Sequence, residues 1–400
     1  MPASRNKYRG DWLLHFLEIP VRAAPNHRIL PLFLAALTVA LTATAQEPQD
    51  EPIVSDSISF ELYNPPSTLA VPSTEVRRAR YPFVDVHNHQ WQMPTDDLSE
   101  TVAEMDALNM AVMVNLSGRL QDDGAHLRAC IENARQNAPG RFLIFTNLSY
   151  EDIDEPGWGE AMAQRVADDV AAGATGLKIY KSLGLSVVDS AGARIAVDNP
   201  RLDPIWAKCG ELDVPVLIHS GDPSPFWEPW DNQNERWLEL KQKPRRRRDA
   251  DSPPSFEQVM GEQLHVFKKH PHTTFISAHL AWRGHDLSTL GKMLDDHPNM
   301  YTEIGAVIAE LGRQPRFAKQ WFIDHQDRVL FGKDVWTPEE YWCYFRVLET
   351  ADEYFDYYRR RHAFWKMYGL DLPDEVLRKL YYGNALNIFP QLDRSLFPDK

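Results

Sequence analysis

From residue 83 onward, short apolar runs alternate along the chain with longer stretches whose apolar residues recur at helical spacing. The runs predict strands at 83–87, 111–116, 142–148, 175–180, 215–219, 274–279, 300–304 and 329–332. The stretches between them predict helices at 99–108, 125–137, 160–172, 204–212, 256–270 and 287–296. Strand and helix alternating eight times is the signature of a (β/α)8 barrel of the TIM type, an α/β fold. The strands are apolar almost throughout, as expected where helices cover one face and the barrel interior the other.

Two segments break the rhythm. Residues 187–198, around Ser190-Ala191-Gly192-Ala193, predict a β-hairpin after the fourth strand. Residues 221–255, after the fifth, carry Phe226, Trp227, Trp230 and Trp237 and then Arg245 to Arg248. Unstructured loops of this length are uncommon and usually functional, so the segment reads as a lid. Trp227 is the lid aromatic expected to meet substrate, and the arginine run reads as solvated.

The N-terminus follows a different pattern. An apolar run at 29–41 lies behind His27 and Arg28 and is followed by Ala43-Thr44-Ala45. This predicts a cleaved export segment over 1–45, with a mature chain beginning near Gln46 and a periplasmic or secreted location. The run is short for a membrane span, so no stable membrane insertion is expected after cleavage. Residues 46–80 are polar and proline-containing and read as a linker or arm, which leaves 81–400 for the barrel.

Charge narrows the partners. The whole chain carries 43 basic and 57 acidic residues; without the five basic and two acidic residues of the leader, 38 face 55, a net charge of −17. Such a chain has no electrostatic footprint for nucleic acid and is repelled by anionic lipid. A small molecule is the expected partner, and self-association is left open. Cys130, Cys209 and Cys343 are scattered without CxxC spacing, which suits core packing better than disulfides or thiolate ligation.

Candidate chemistry gathers at the strand ends, where barrels of this type carry their active sites. The first strand ends in His87-Asn88-His89, two imidazoles on one face of the backbone and a good chelating arm for a transition metal. Lys178 lies in the fourth strand, His219 ends the fifth, His279 the sixth, Glu303 the seventh, and Lys333-Asp334 follows the eighth. Neighbours Leu177 and Ile179 should face the helices, so Lys178 should point into the barrel.

This pattern resembles the amidohydrolase superfamily, in particular the amidohydrolase-related branch that includes the aminocarboxymuconate-semialdehyde decarboxylases. The similarity runs from about Phe83 to Pro390 and includes Gly383-Asn384-Ala385. The resemblance implies a divalent metal held by His87, His89, His219 and Asp334, with His279 orienting nucleophile and substrate or ligating a second metal. In binuclear members a strand-four lysine is carbamylated and bridges two ions. For Lys178 the other readings are a cation for a substrate carboxylate or an ion pair with Glu303. Lys333 departs from the small or hydroxyl residue that many relatives place before the aspartate.

Three neutral imidazoles and a carboxylate suit Zn²⁺ first, with Mn²⁺ or another transition ion as alternatives. Asp334 would take a proton from water at the metal and pass it to a leaving group, with His279 as electrophilic partner or second base. Lys178, Glu303 and Trp227 are the expected substrate contacts. The sequence thus predicts a metal-dependent hydrolase acting on a small amide, ester or lactone. The alternatives are a non-oxidative decarboxylase of a small carboxylic acid and a barrel that binds without catalysis.

Overall fold

The computed structural model describes residues 56–398, except 61, 64, 120–122, 250–252, 360–361 and 363–364. The export segment expected over 1–45 lies outside the described residues. From Ser59 onward the chain folds as one unit.

Eight parallel strands follow one another around a single sheet: β1 (Phe83–Asn88), β2 (Met110–Asn115), β3 (Phe142–Asn147), β4 (Gly176–Ile179), β5 (Val216–Ile218), β6 (Phe275–Ser277), β7 (Met300–Glu303) and β8 (Val329–Leu330). β8 closes on β1 through two backbone bonds, Val86 N–H to Phe331 O at 2.9 Å and Asp334 N–H to His87 O at 2.6 Å. The expected (β/α)8 barrel is therefore the fold. All of β1 is buried, including the polar Asp85, His87 and Asn88. Asp85 is tolerated because its carboxylate accepts from His87 N–H, Lys333 N–H and the Tyr341 hydroxyl. Burial nevertheless pushes it up to about 6.

Some of the helices that cover the barrel begin at side-chain caps. α1 (Leu98–Leu108) is capped by Asp97, and α2 (Ala125–Asn137), α3 (Trp158–Ala171), α4 (Asp203–Glu211) and α5 (Trp237–Gln242) follow. In α6 (Phe256–Lys269) the Ser255 side chain accepts from Gln258 N–H. In α7 (Leu287–Asp296) Asp286 plays the same part. The sequence pattern did not mark α8 (Ile308–Gly312), α9 (Pro315–Asp324) or α10 (Pro338–Glu349). Residues 187–198 make a tight turn with a single bridge, Val188 to Arg194.

The excursion after β5 is folded. Phe226, Trp227 and Leu240 pack against Phe256, Val259 and Met260 of α6 as a second, smaller core. Arg236 is buried and pairs with Glu239 and, across the excursion, with Glu310 of α8. The arginine run is only partly solvated: Arg245 and Arg247 are exposed, and three of the four also find partners. Arg246 pairs with Glu239, Arg247 lies 3.4 Å over the Trp230 ring, and Arg248 pairs with the buried Asp222. The segment folds back far enough for these guanidinium groups to reach carboxylates and an aromatic face. Among the described residues no helix is long and apolar enough to cross a membrane.

Candidate metal centre

Strand register brings the strand-end side chains to one level: Asn147 pairs with Lys178, Lys178 with Leu217, and Ile218 with Ser277. Above them the potential ligand atoms of His87, His89 and Asp334 all lie within 4.8 Å of one another. Asp334 Oδ1 is 3.4 Å from His87 Nε2 and 3.7 Å from His89 Nε2.

Hydrogen bonds behind the imidazoles decide which nitrogen faces the centre. His87 Nδ1 donates to Glu303 Oε1 at 2.9 Å, His89 Nδ1 meets Ser117 Oγ at 2.6 Å, and His279 Nδ1 donates to Gly305 O at 2.7 Å. In these tautomers His87 and His279 keep their Nε2 lone pairs for the site. His219 lies outside the three-residue cluster. Its ring stands edge to face with His279 at 4.5 Å, and its Nε2 is buried without a hydrogen-bond partner. A buried nitrogen lone pair with nothing to accept is what a metal ion would satisfy. The donor set of imidazole nitrogens and one carboxylate therefore fits a divalent transition metal.

The electrostatics point the same way. Burial holds His87 and His219 neutral far below the ordinary imidazole range and lowers His89 to about 3. Burial alone would raise Asp334, but His87, His279, His89 and Lys178 outweigh it and hold the carboxyl well below the usual range. Neutral imidazoles beside an ionised carboxylate are the protonation states that ligation needs. Lys178 is buried with Nζ 3.4 Å from His87 Nε2, and burial lowers it to about 7.

Two expected substrate contacts are engaged by the protein's own groups. Glu303 is fully buried and spends its carboxylate on His87 Nδ1, His279 N–H and Gly305 N–H. It orients the His87 imidazole and anchors the backbone of His279. A Cβ at Gly332 would collide with that carboxylate, which is why the strand passes it as glycine. Trp227 packs edge-on to Phe256 at 5.7 Å and donates its indole N–H to Pro254 O, inside the excursion's own core. The strand-end alternation could not show either outcome, because both depend on what the side chain meets beyond its own element.

The sequence reading also missed several residues. Trp91, His89 and Tyr180 form a wall of near-parallel rings 5.5–6.0 Å apart beside the cluster. After β6 the chain turns through four consecutive left-handed residues, His279, Leu280, Ala281 and Trp282, with φ between 50° and 57°. Each costs about 1 kcal/mol or more in a non-glycine residue. Asp334 itself sits at φ 84°. Strain concentrated in this way marks a place where side-chain position is held against backbone preference.

Glu303→Gln tests the supporting role. An amide keeps the size but weakens the bond to His87 Nδ1–H, so metal affinity is expected to fall about 10–100-fold. Metal titration of folded variant against wild type checks it. Equal affinities would make Glu303 a structural carboxylate only.

The comparisons with known proteins agree with this architecture. A family model described as amidohydrolase matches residues 84–391. The dihydroxybenzoic acid decarboxylase of Polaromonas sp. JS666, solved with manganese and 2-nitroresorcinol, is 14% identical, with a TM-score of 0.50 over 79% of this chain and 99% of its own. A 2,6-dihydroxybenzoate decarboxylase complexed with 2,6-dihydroxybenzoate is 16% identical, with a TM-score of 0.48 over 78% and 99%. The 5-carboxyvanillate decarboxylase of Novosphingobium aromaticivorans DSM 12444, complexed with manganese and 4-hydroxy-3-methoxy-5-nitrobenzoic acid, is 14% identical, with a TM-score of 0.46 over 79% and 100%. At these identities the likeness is one of fold. No curated protein matches the chain.

Proposed function

The chain belongs to the amidohydrolase family, and from that premise we propose that it is a metal-dependent, non-oxidative decarboxylase of a small carboxylic acid. The hydrolase expected from the sequence becomes the second reading. The observation that carries the proposal is Lys178, a buried amine 3.4 Å from His87 Nε2. Once His87 gives that lone pair to a metal, the ammonium needs another acceptor, and a substrate carboxylate supplies one. The fold likeness to the Polaromonas decarboxylase, which binds manganese, supports this choice and leaves Mn²⁺ as open as Zn²⁺.

A divalent ion held by His87, His89, His219 and Asp334 would supply Lewis acidity toward a substrate oxygen. The residues of the chain do the rest. Lys178 orients the carboxylate, and the Trp91, His89 and Tyr180 rings offer a flat wall for a planar substrate. The reaction breaks the C–C bond to the carboxylate, leaves the electron pair on carbon and needs a proton at that carbon. Asp334, ionised in the free chain, takes a proton from substrate or water and returns it there. His279, with Nε2 free, is the second group able to move that proton. Hydrolysis of an amide, ester or lactone is favoured by one feature, the ionised Asp334 as proton acceptor from water.

Metal-loaded protein offered 2,6-dihydroxybenzoate and other phenolic acids, and separately simple lactones and aryl esters, decides between the two. CO₂ released in step with loss of acid supports decarboxylation. Acid released from lactones or esters without CO₂ moves the assignment to hydrolysis.

Export belongs to the same reading, on the strength of the apolar run at 29–41 and Ala43-Thr44-Ala45. N-terminal sequencing of protein from its native host should begin near Gln46. An intact Met1 recovered from cytoplasm would reject it.

A further inference from the structure

Among the metal-centre imidazoles His219 stands apart. Glu303 fixes the ring of His87, Ser117 that of His89 and Gly305 that of His279. For His219 the bond made is from the backbone, N–H to Ile179 O at 3.0 Å, while its Nε2 has no partner. Its ring is held by other rings, His279 edge to face at 4.5 Å and Trp282 tilted at 5.6 Å. Trp282 in turn packs on His279 at 4.5 Å.

Trp282 reaches that position through the left-handed turn. With φ near 50° at four successive residues, His279 and Trp282 come round on the same side of the turn, three residues apart. The turn is anchored at its start, where His279 N–H donates to Glu303 at 2.6 Å and His279 Nδ1 to Gly305 O. Glycine would adopt this backbone without strain. A large aromatic residue stands instead at its last position, half-buried, with an indole N–H that is buried and makes no hydrogen bond. Neither backbone ease nor hydrogen bonding accounts for tryptophan there; ring packing does, on the two imidazoles and on the apolar side chains of both cores.

We propose that Trp282 is a positioning residue for the metal centre, fixing the ring plane of His219 by aromatic contact in place of the hydrogen bond that orients each of the other imidazoles. The inference rests on the reading of His219 as a ligand.

Trp282→Gly separates this role from support of the turn. Glycine relaxes the left-handed backbone, so a residue that merely holds the turn could be replaced without loss. A positioning residue could not. Zn²⁺ and Mn²⁺ titrations are expected to show affinity lowered about tenfold or more in Trp282→Gly, the scale of lost outer-shell support. Trp282→Phe, which keeps a flat ring, should recover most of it. The Co²⁺-substituted absorption spectrum should shift in the glycine variant and return in the phenylalanine one. A crystal structure of metal-free Trp282→Gly gives a readout that needs no ion: the His219 ring should be rotated or spread over several orientations. Wild-type affinity in Trp282→Gly, or an unmoved His219 ring, overturns the proposal. A wild-type protein that binds no divalent ion would instead defeat the metal reading, and the ring readout would still judge Trp282.

Discussion

Asp334→Asn is expected to lower kcat by about 10²–10⁴-fold, the contribution typical of a proton-transferring group, while keeping the fold and much of the bound metal. The amide oxygen can still coordinate, but the amide cannot take and return a proton at neutral pH. The position favours this substitution. Asp334 lies at φ 84°, and asparagine is among the residues that tolerate positive φ best. Its backbone N–H, bonded to His87 O at 2.6 Å, is untouched. Turnover and metal content measured on one preparation check it. Wild-type kcat in the variant would remove Asp334 from proton transfer. His279→Ala is the companion case: turnover should fall with metal content unchanged. Release of metal from a wild type carrying two ions per chain would instead make the centre binuclear, with Lys178 as the carbamate bridge.

Lys178→Met should lower both activity and stability, by separate routes. A fully buried amine, lowered to about 7 by its burial, is a cost to the fold. Methionine of similar volume removes that cost but also leaves the neighbouring Asp334 and Glu303 carboxylates without the ammonium, and taking one partner from a buried charge group costs about 3–5 kcal/mol. The melting temperature of the metal-free variant should therefore fall. Turnover of a carboxylic acid should fall at least about 100-fold, because a bidentate or charge-assisted contact in a closed site is lost. Thermal melts and steady-state kinetics on the same variant test both halves. Unchanged turnover would take Lys178 out of substrate binding and remove the main support for decarboxylation.

The barrel was legible in the sequence because burial on both strand faces writes itself as apolar runs, and eight of them alternate with helical stretches. The polar strand ends stood out against those runs. His87, His89, Lys178, His279 and Asp334 indeed meet at one end of the barrel, with His219 beside His279. Lys333, which stands where many relatives have a small or hydroxyl residue, is buried and donates to Val335 O while pairing with Glu340.

What the sequence concealed is contact made across elements. Glu303 sits at a strand end like the ligands, but turns to His87 Nδ1 and two backbone N–H groups. Trp227 belongs to a second core that forms only when the excursion folds onto α6. Leu280-Ala281-Trp282 contains no glycine to announce a left-handed turn, and β6 stops at Ser277, two residues before the expected end. The turn exists because the contacts of His279 and Trp282 outweigh local preference, and no local pattern encodes such a balance.

The account stands on a divalent metal bound through His87 and its neighbours. Elemental analysis of protein expressed with zinc or manganese, beside His87→Ala and the exposed-site control His265→Ala, tests it most directly. Near-stoichiometric metal is expected in wild type and His265→Ala, and its loss in His87→Ala. Equal occupancy in the two variants, or none in the wild type, would contradict it.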